Sequence, residues 1–264
     1  MSAALPSQVF EPIRGHRVIE AQAWACLERC QRKLGLDDIP LPVPIDEWIE
    51  GPLGIRFGIT DLSYLGKDVL GGAFVQEREI LIDQRVLEHE GRFRFTCAHE
   101  LGHLTLHRRV SGIFHETEAM GPGSAHRIER EADRFAAAFL MPLPLLEREL
   151  LRLLDEAGLN RTKCIARMMY ATPESEWLWR RRLLPALIER FGVSLSAAVF
   201  RCREIQPRIH LAIPLLPPDL ADRLTRPPRD LGRLDAIQVM DGVPVRCDLF
   251  SHVERADATQ GSAT

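Results

Sequence analysis

Phe95-Thr96-Cys97-Ala98-His99-Glu100-Leu101-Gly102-His103-Leu104-Thr105-Leu106-His107 is the stretch of this 264-residue chain whose reading decides the rest. It contains no proline, and Phe95, Leu101, Leu104 and Leu106 supply apolar sides, so residues 92–107 are predicted to form a helix. Four residues advance a helix by about 400°, which puts His99 and His103 on one face, one turn apart, where they can share a tetrahedral ion. Glu100 follows the first histidine and projects beside that face. It can reach a water at such an ion without ligating the ion itself.

A catalytic zinc takes three protein ligands and keeps a fourth position open. The next predicted helix, over 127–141 and stopped by Pro142, carries Ile128-Glu129-Arg130-Glu131-Ala132-Asp133-Arg134-Phe135-Ala136. Glu129 and Asp133 are spaced i, i+4 and so share a face. Glu129 is expected as the third ligand, with Asp133 accepting the free N–H of a ligand imidazole and fixing its tautomer. Ala132 and Ala136 are small enough to let the two helices approach closely. Glu131 falls on another face and is the weaker candidate. His107 is expected to be packed or in an outer layer, because the glycine-containing spacer of three-histidine sites is absent. Cys97, two residues before His99, points away as a small buried hydrophobe. Two imidazoles, an acidic ligand and a glutamate general base form the zincin pattern, with one Zn2+ expected per chain and Glu100 as the catalytic residue.

Around this pair the chain reads as mixed. Before it, a helix is expected over 18–34, an extended proline connection through Pro40, Pro42 and Pro44, and a short helix at 46–50. β-strands are then expected at 54–59, 72–76 and 79–83, the last two as a hairpin. Strand 72–76 is a candidate edge for holding substrate backbone by β-addition. Between the two site helices, 111–125 is glycine-rich and expected to be a mobile loop. After Pro142, helices are expected over 145–156, 163–170, 176–191 and 195–203. The proline-rich segment from 206 onward contains two β-like runs, 208–213 and 236–250, and the last ten residues have the composition of a disordered tail. The expected organisation is an N-terminal arm (1–17), a metallopeptidase domain (18–204) and a C-terminal segment (205–264).

Composition narrows the function classes. At 45% hydrophobic, 27% charged and a formal charge of −3, the chain has no global charge drawing it to nucleic acid or an acidic membrane. The first thirty residues lack a basic region followed by an apolar core, and the longest apolar run, 135–146, is broken by Pro142 and Pro144. No membrane partner and a cytoplasmic location are expected. The six cysteines form no C-x-x-C pair and are expected to be free thiols.

On these motifs the chain resembles the ImmA/IrrE-type zinc metallopeptidases. The matching residues are Arg94 to His103 with Leu106-His107, Glu129 to Ala136, Phe139-Leu140-Met141-Pro142, and Phe191-Gly192-Val193-Ser194, within a similarity covering roughly 18–204. The resemblance implies an α+β, mainly helical zincin-like domain with a small sheet over the active-site helices, followed here by a short C-terminal appendage. It also implies cleavage of a helix-turn-helix repressor that derepresses stress, DNA-damage or mobile-element genes. Carried over to this sequence, His99, His103 and Glu129 are the ligands and Glu100 the base. Relatives often carry Asn where this chain has Asp133, and either side chain can orient an imidazole.

Several features suggest other roles. Tyr64, Tyr170, His107, His115 and His126 are all candidate oxyanion donors, with nothing to choose among them. Cys202 or Cys247, folded back onto the open zinc position, would hold the enzyme latent. Trp177, Trp179, Arg180, Arg181 and Arg182 gather aromatic and cationic groups that would suit single-stranded DNA as an activator. An ordinary helix with one apolar and one solvated basic face accounts for them better. Residues 187–199 resemble the start of a DNA-reading helix-turn-helix, but the peptidase family shows the same stretch as its domain's own helical end, and that reading is the better one. The rival function is therefore a DNA-binding regulator that retains the scaffold for sensing. The intact Glu100 argues against it, since a purely structural metal site has no use for a base.

Overall fold

The computed structural model describes residues 15–108, 113–114, 122–168, 170–204, 216–226, 237–240 and 243–246. Its contacts divide the chain into two compact units, Met1–Leu143 with Phe191–Val193, and Pro144–Arg190 with Ser194–Thr264. This division falls at Pro144, inside the span 18–204 that the sequence suggests as one domain.

The first unit contains α1 (His16–Leu34), α2 (Ile45–Glu50), β1 (Arg56–Thr60), β2 (Gly71–Phe74), β3 (Glu79–Asp83), α3 (Glu90–Leu106), β4 (Ile113–Phe114) and α4 (Pro122–Leu140). The apolar face predicted for α1 is buried through Ile19, Ala23, Cys26, Leu27 and Cys30, and the helix ends at Gly35 in the left-handed conformation. α1 packs on α4, α4 on α3, and α3 also touches α2 and the sheet. Phe135 and Phe139 stack one turn apart at 5.9 Å between ring centroids, both fully buried.

The sheet has the order β1-β3-β2-β4. β2 and β3 form the expected antiparallel hairpin, with Gly71 opposite Ile82 and Phe74 opposite Glu79. β3 is also parallel to β1. Ile80 and Ile82 of this central strand are fully buried. Asp83 at its end is also buried. It accepts the Leu62 N–H at 2.7 Å and the Arg85 N–H at 2.8 Å, and pairs with the Arg85 guanidinium at 2.6 Å. Arg85 donates onward to the carbonyls of Lys67 at 2.6 Å and Val69 at 2.8 Å. The loop entering β2 is thereby clamped to the end of β3, and this loop lines the site described below.

The second unit contains α5 (Leu143–Glu156), α6 (Arg161–Met168), α7 (Pro173–Leu178), α8 (Leu184–Phe191), α9 (Leu195–Glu204), α10 (Pro218–Leu224) and a hairpin of β5 (Ile237–Met240) with β6 (Val243–Arg246). The terminal residues of α5 and α8 belong to the first unit. The helix predicted over 176–191 is interrupted by a π-helical turn, Trp179–Leu183. α10 lies in the proline-rich segment for which only β-like runs are expected. Pro218 is instead its first helical residue, a position where the missing N–H costs nothing and the fixed φ favours the helix. Among the described residues, no single helix is long and apolar enough to cross a membrane. Cys26, Cys30, Cys97, Cys164 and Cys202 are buried and in no disulfide among the described residues. The N-terminal arm to residue 14, the β-like run 208–213, most of the loop 111–125, Cys247 and the tail lie outside the described residues.

Candidate metal centre

α3 places His99 and His103 on one face as the i, i+4 spacing requires, and α4 brings Glu129 opposite them. His99 Nε2 lies 3.0 Å from His103 Nε2 and 3.1 Å from Glu129 Oε2, and His103 Nε2 lies 3.4 Å from Glu129 Oε1. A tetrahedron with bonds of about 2.0–2.1 Å has edges of about 3.3–3.4 Å, so these donors stand at the spacing of three zinc ligands. Among the described residues, they are the group of histidine, cysteine and carboxylate side chains able to hold an ion.

The approach of the two helices depends on Gly102. A β-carbon there would stand 3.2 Å from the backbone of Ala132 and 3.3 Å from Cβ of Phe135. Ala132 and Ala136 are fully buried, as their size suggested. The fourth member, Asp133, accepts from or shares a proton with His99 Nδ1 at 2.9 Å. That hydrogen bond leaves Nε2 facing the donor group.

Electrostatics also favour a cation. Burial opposes charge on His99, but its hydrogen bonds to Asp133 and Glu129 outweigh burial and hold its pKa up at about 10. Burial likewise works against ionised Glu129, yet hydrogen bonds from His103 and His99 pull it well below the carboxylate range. His103 is lowered, chiefly by burial. A proton held among these groups occupies the place that a metal ion's charge would take.

Glu100 is 5% exposed, and burial raises its pKa to about 8. Its Oε2 has no hydrogen-bond partner. An orphaned carboxylate oxygen beside three converging ligands fits a site that completes itself with an ion and a water. Gly71 of β2 makes room for it: a β-carbon there would stand 2.6 Å from Glu100 Oε1 and 2.9 Å from Thr96 Cγ2. His99, Glu100, His103 and Glu129 line a cavity of about 250 Å3 together with Asp68 to Gly71, Phe95 and Thr96. β2 is paired with β4 only at Ala73 and Phe74, so no described strand covers Gly71 and Gly72 on that edge.

The structure treats the remaining sequence candidates differently. His107 is buried behind His103, its Nδ1 3.2 Å from His103 Nδ1, on the ring edge away from the donor group. Its Nε2 lies 3.3 Å from Glu131 Oε2, so Glu131 serves His107 and is not one of the converging donors. Tyr64, His126 and Tyr170 do not line the cavity, and His115 lies outside the described residues. Cys202 is 1% exposed, burial pushes its thiol up to about 12, and it is not among the converging donors. Burial likewise raises the Cys97 thiol.

Within the second unit the aromatic and basic cluster is divided: Trp179 is buried, Trp177 and Arg180 are half-buried, and Arg181 and Arg182 are exposed. Trp179 is fully buried and has no ring face to offer a base. Arg180 pairs with Glu176 at 3.1 Å and donates to the carbonyls of Arg223 and Leu224. The Arg182 guanidinium sits 5.9 Å over the Trp177 ring. Trp179 and Arg180 therefore drop out of a nucleic-acid surface, because both hold the unit together. The turn at Gly192, between the helices that resemble a DNA-reading motif, accepts a hydrogen bond from Arg94 Nε at 2.9 Å.

Sequence reasoning does not reach the clearance at Gly71 and Gly102 or the His107–Glu131 pair. Only the pair left a trace in the sequence: His107 follows His103 by one helical turn.

A mainly helical α+β fold that presents two histidines and a glutamate from adjacent helices, with a buried glutamate beside them, defines the zincin-like metallopeptidases. Residues 55–203 match the model of the IrrE N-terminal-like domain, and the chain belongs to this family of peptidases. No curated protein matches the chain. A solved structure of a Mycobacterium tuberculosis transcriptional regulator is similar at 20% identity with a TM-score of 0.43, over 72% of this chain and 48% of that one. The chain thus spans about half the length of that regulator.

Proposed function

We propose that the chain is a zinc-dependent endopeptidase, held in a metallopeptidase domain over 18–204, that cleaves a helix-turn-helix transcriptional repressor to derepress stress, DNA-damage or mobile-element and defence genes. The observation that carries the peptidase reading is the convergence of His99, His103 and Glu129 at zinc-ligand spacing beside the unpartnered Glu100 carboxylate. The repressor as substrate rests on the family.

His99, His103 and Glu129 hold the ion, and Asp133 fixes the His99 ring so that Nε2 offers its lone pair. A bound Zn2+ supplies Lewis-acid polarisation of the scissile carbonyl and of a water. Glu100 takes the proton of the attacking water and later delivers it to the leaving amine. Substrate backbone lies along the open edge at Gly71 and Gly72, as an added strand. The work is done in the cytoplasm, where a repressor is found.

The test is N-terminal labelling of a host-cell extract treated with zinc-loaded protein or with its Glu100→Gln variant. New N-termini in a helix-turn-helix repressor, absent with the variant although it retains zinc, are expected. Equal cleavage by both proteins would refute the role of Glu100. Cleavage confined to unrelated proteins would refute the substrate.

A further inference from the structure

The two histidine ligands are backed unequally, and the difference assigns a role to residues the peptidase mechanism does not use. His99 Nδ1 meets a carboxylate directly, Asp133 at 2.9 Å. His103 Nδ1 meets a second imidazole, His107 Nδ1 at 3.2 Å, and the far nitrogen of that ring meets the Glu131 carboxylate at 3.3 Å. All three residues of this second chain are at most 3% exposed. We propose that His107 and Glu131 are positioning residues that set the tautomer of His103 through a two-step hydrogen-bond relay. The proposal rests on the metal-site reading above and names what orients its second ligand.

Proton counting sets the direction. His103 Nε2 faces His99 and Glu129, so as a ligand it offers a lone pair there and carries its single proton on Nδ1. That N–H donates to His107 Nδ1, which must then be the unprotonated nitrogen of its ring. The His107 proton therefore sits on Nε2 and donates to Glu131. Both atom pairs of the relay then have one proton and one acceptor. If His107 took the other tautomer, two N–H groups would face each other at 3.2 Å and Glu131 would face a lone pair, both repulsive among buried side chains.

Local geometry supports the relay at both ends. His107 follows the last residue of α3, and its backbone N–H still donates to the His103 carbonyl at 2.9 Å, which holds it one turn below His103 on the same face. Glu131 stands two residues from Glu129 on α4, so it leaves the helix on another face and reaches His107 while Glu129 reaches the donor group. One pair of packed helices thus carries both the ligand set and the groups behind it.

The experiment measures zinc affinity by competition with a chromogenic chelator, with imidazole nitrogen NMR of the metal-free protein alongside. His107→Leu removes the acceptor and should weaken zinc binding by roughly 10–100-fold. His107→Gln keeps an acceptor toward His103 and a donor toward Glu131, and should recover most of the loss, which a purely steric role would not predict. Glu131→Gln keeps the hydrogen bond but removes the charge and should fall between. In metal-free wild type, NMR should show His103 protonated on Nδ1 and His107 on Nε2. If His107→Leu does not fold, Glu131→Gln and the wild-type tautomers still decide. The proposal is overturned if His107 carries its proton on Nδ1, or if a folded His107→Leu binds zinc as tightly as wild type. A wild type that binds zinc but cleaves nothing would sink the function above and leave the relay standing.

Discussion

Replacing Gly102 with alanine sets two known effects against each other. Inside an exposed helix, Gly→Ala gains about 1 kcal/mol of helix propensity. Here the added methyl would stand 3.2 Å from Cα and O of Ala132 and 3.3 Å from Cβ of Phe135. These atoms are backbone or fixed to it, so no side-chain rotation relieves the contact. Ordinary carbon contacts lie at about 3.5–4.0 Å, so α3 and α4 must part by about 0.3–0.5 Å. Overpacking of this kind costs about 1–3 kcal/mol. The net expectation is destabilisation by about 1 kcal/mol, a fall in melting temperature of about 2–4 °C. The metal centre registers the same displacement, since His99 and His103 stand on α3 and Glu129 on α4. A shift of 0.3–0.5 Å exceeds the tolerance of about 0.2 Å on ligand distances, so zinc affinity should fall roughly ten-fold. Melting of the metal-free proteins and chelator competition for zinc check the two halves separately. A variant that melts higher than wild type and binds zinc equally well would refute the reasoning, because the close crossing would then not set the donor spacing.

Three further outcomes follow from the site. Gly71→Ala pushes the Glu100 carboxylate by about half an ångström without touching the donors, so kcat/KM on the cleaved repressor should fall roughly 10–100-fold with zinc content unchanged; loss of zinc together with activity would contradict this. Zinc affinity should rise with pH by about ten-fold per unit between pH 8 and 9, because metal-free His99 keeps its proton until about pH 10. It should rise more steeply below pH 8, where metal-free Glu100 is protonated too, and calorimetry in buffers of different ionisation enthalpy counts the protons released. Asp83 is buried, and Arg85 holds its carboxyl down at about 2. A depressed carboxyl stabilises the fold above its ordinary pKa and loses that effect as pH falls toward the folded value. The stability advantage of wild type over Asp83→Asn in urea unfolding should therefore be about 1–3 kcal/mol at pH 7 and shrink by roughly 1 kcal/mol at pH 3, whereas a constant difference would assign Asp83 a role independent of charge.

What the sequence determined by itself lies within single elements. His99 with His103, and Glu129 with Asp133, share helix faces because helical periodicity is a local property of the backbone. The β2–β3 hairpin and the apolar face of α1 were legible for the same reason. Local rules failed where a neighbouring element or a special position overrode composition. Pro218 in a proline-rich stretch starts a helix, and Trp179 in a basic aromatic run is core. Tertiary structure alone decided how far apart the elements stand. No periodicity reveals that a methyl at Gly102 would meet the backbone of α4, or that one at Gly71 would strike Glu100. Nor could spacing tell whether His107 faces the ion or stands behind His103, since a side chain one turn further on is placed by what packs against it. Here that partner is Glu131, from a different helix.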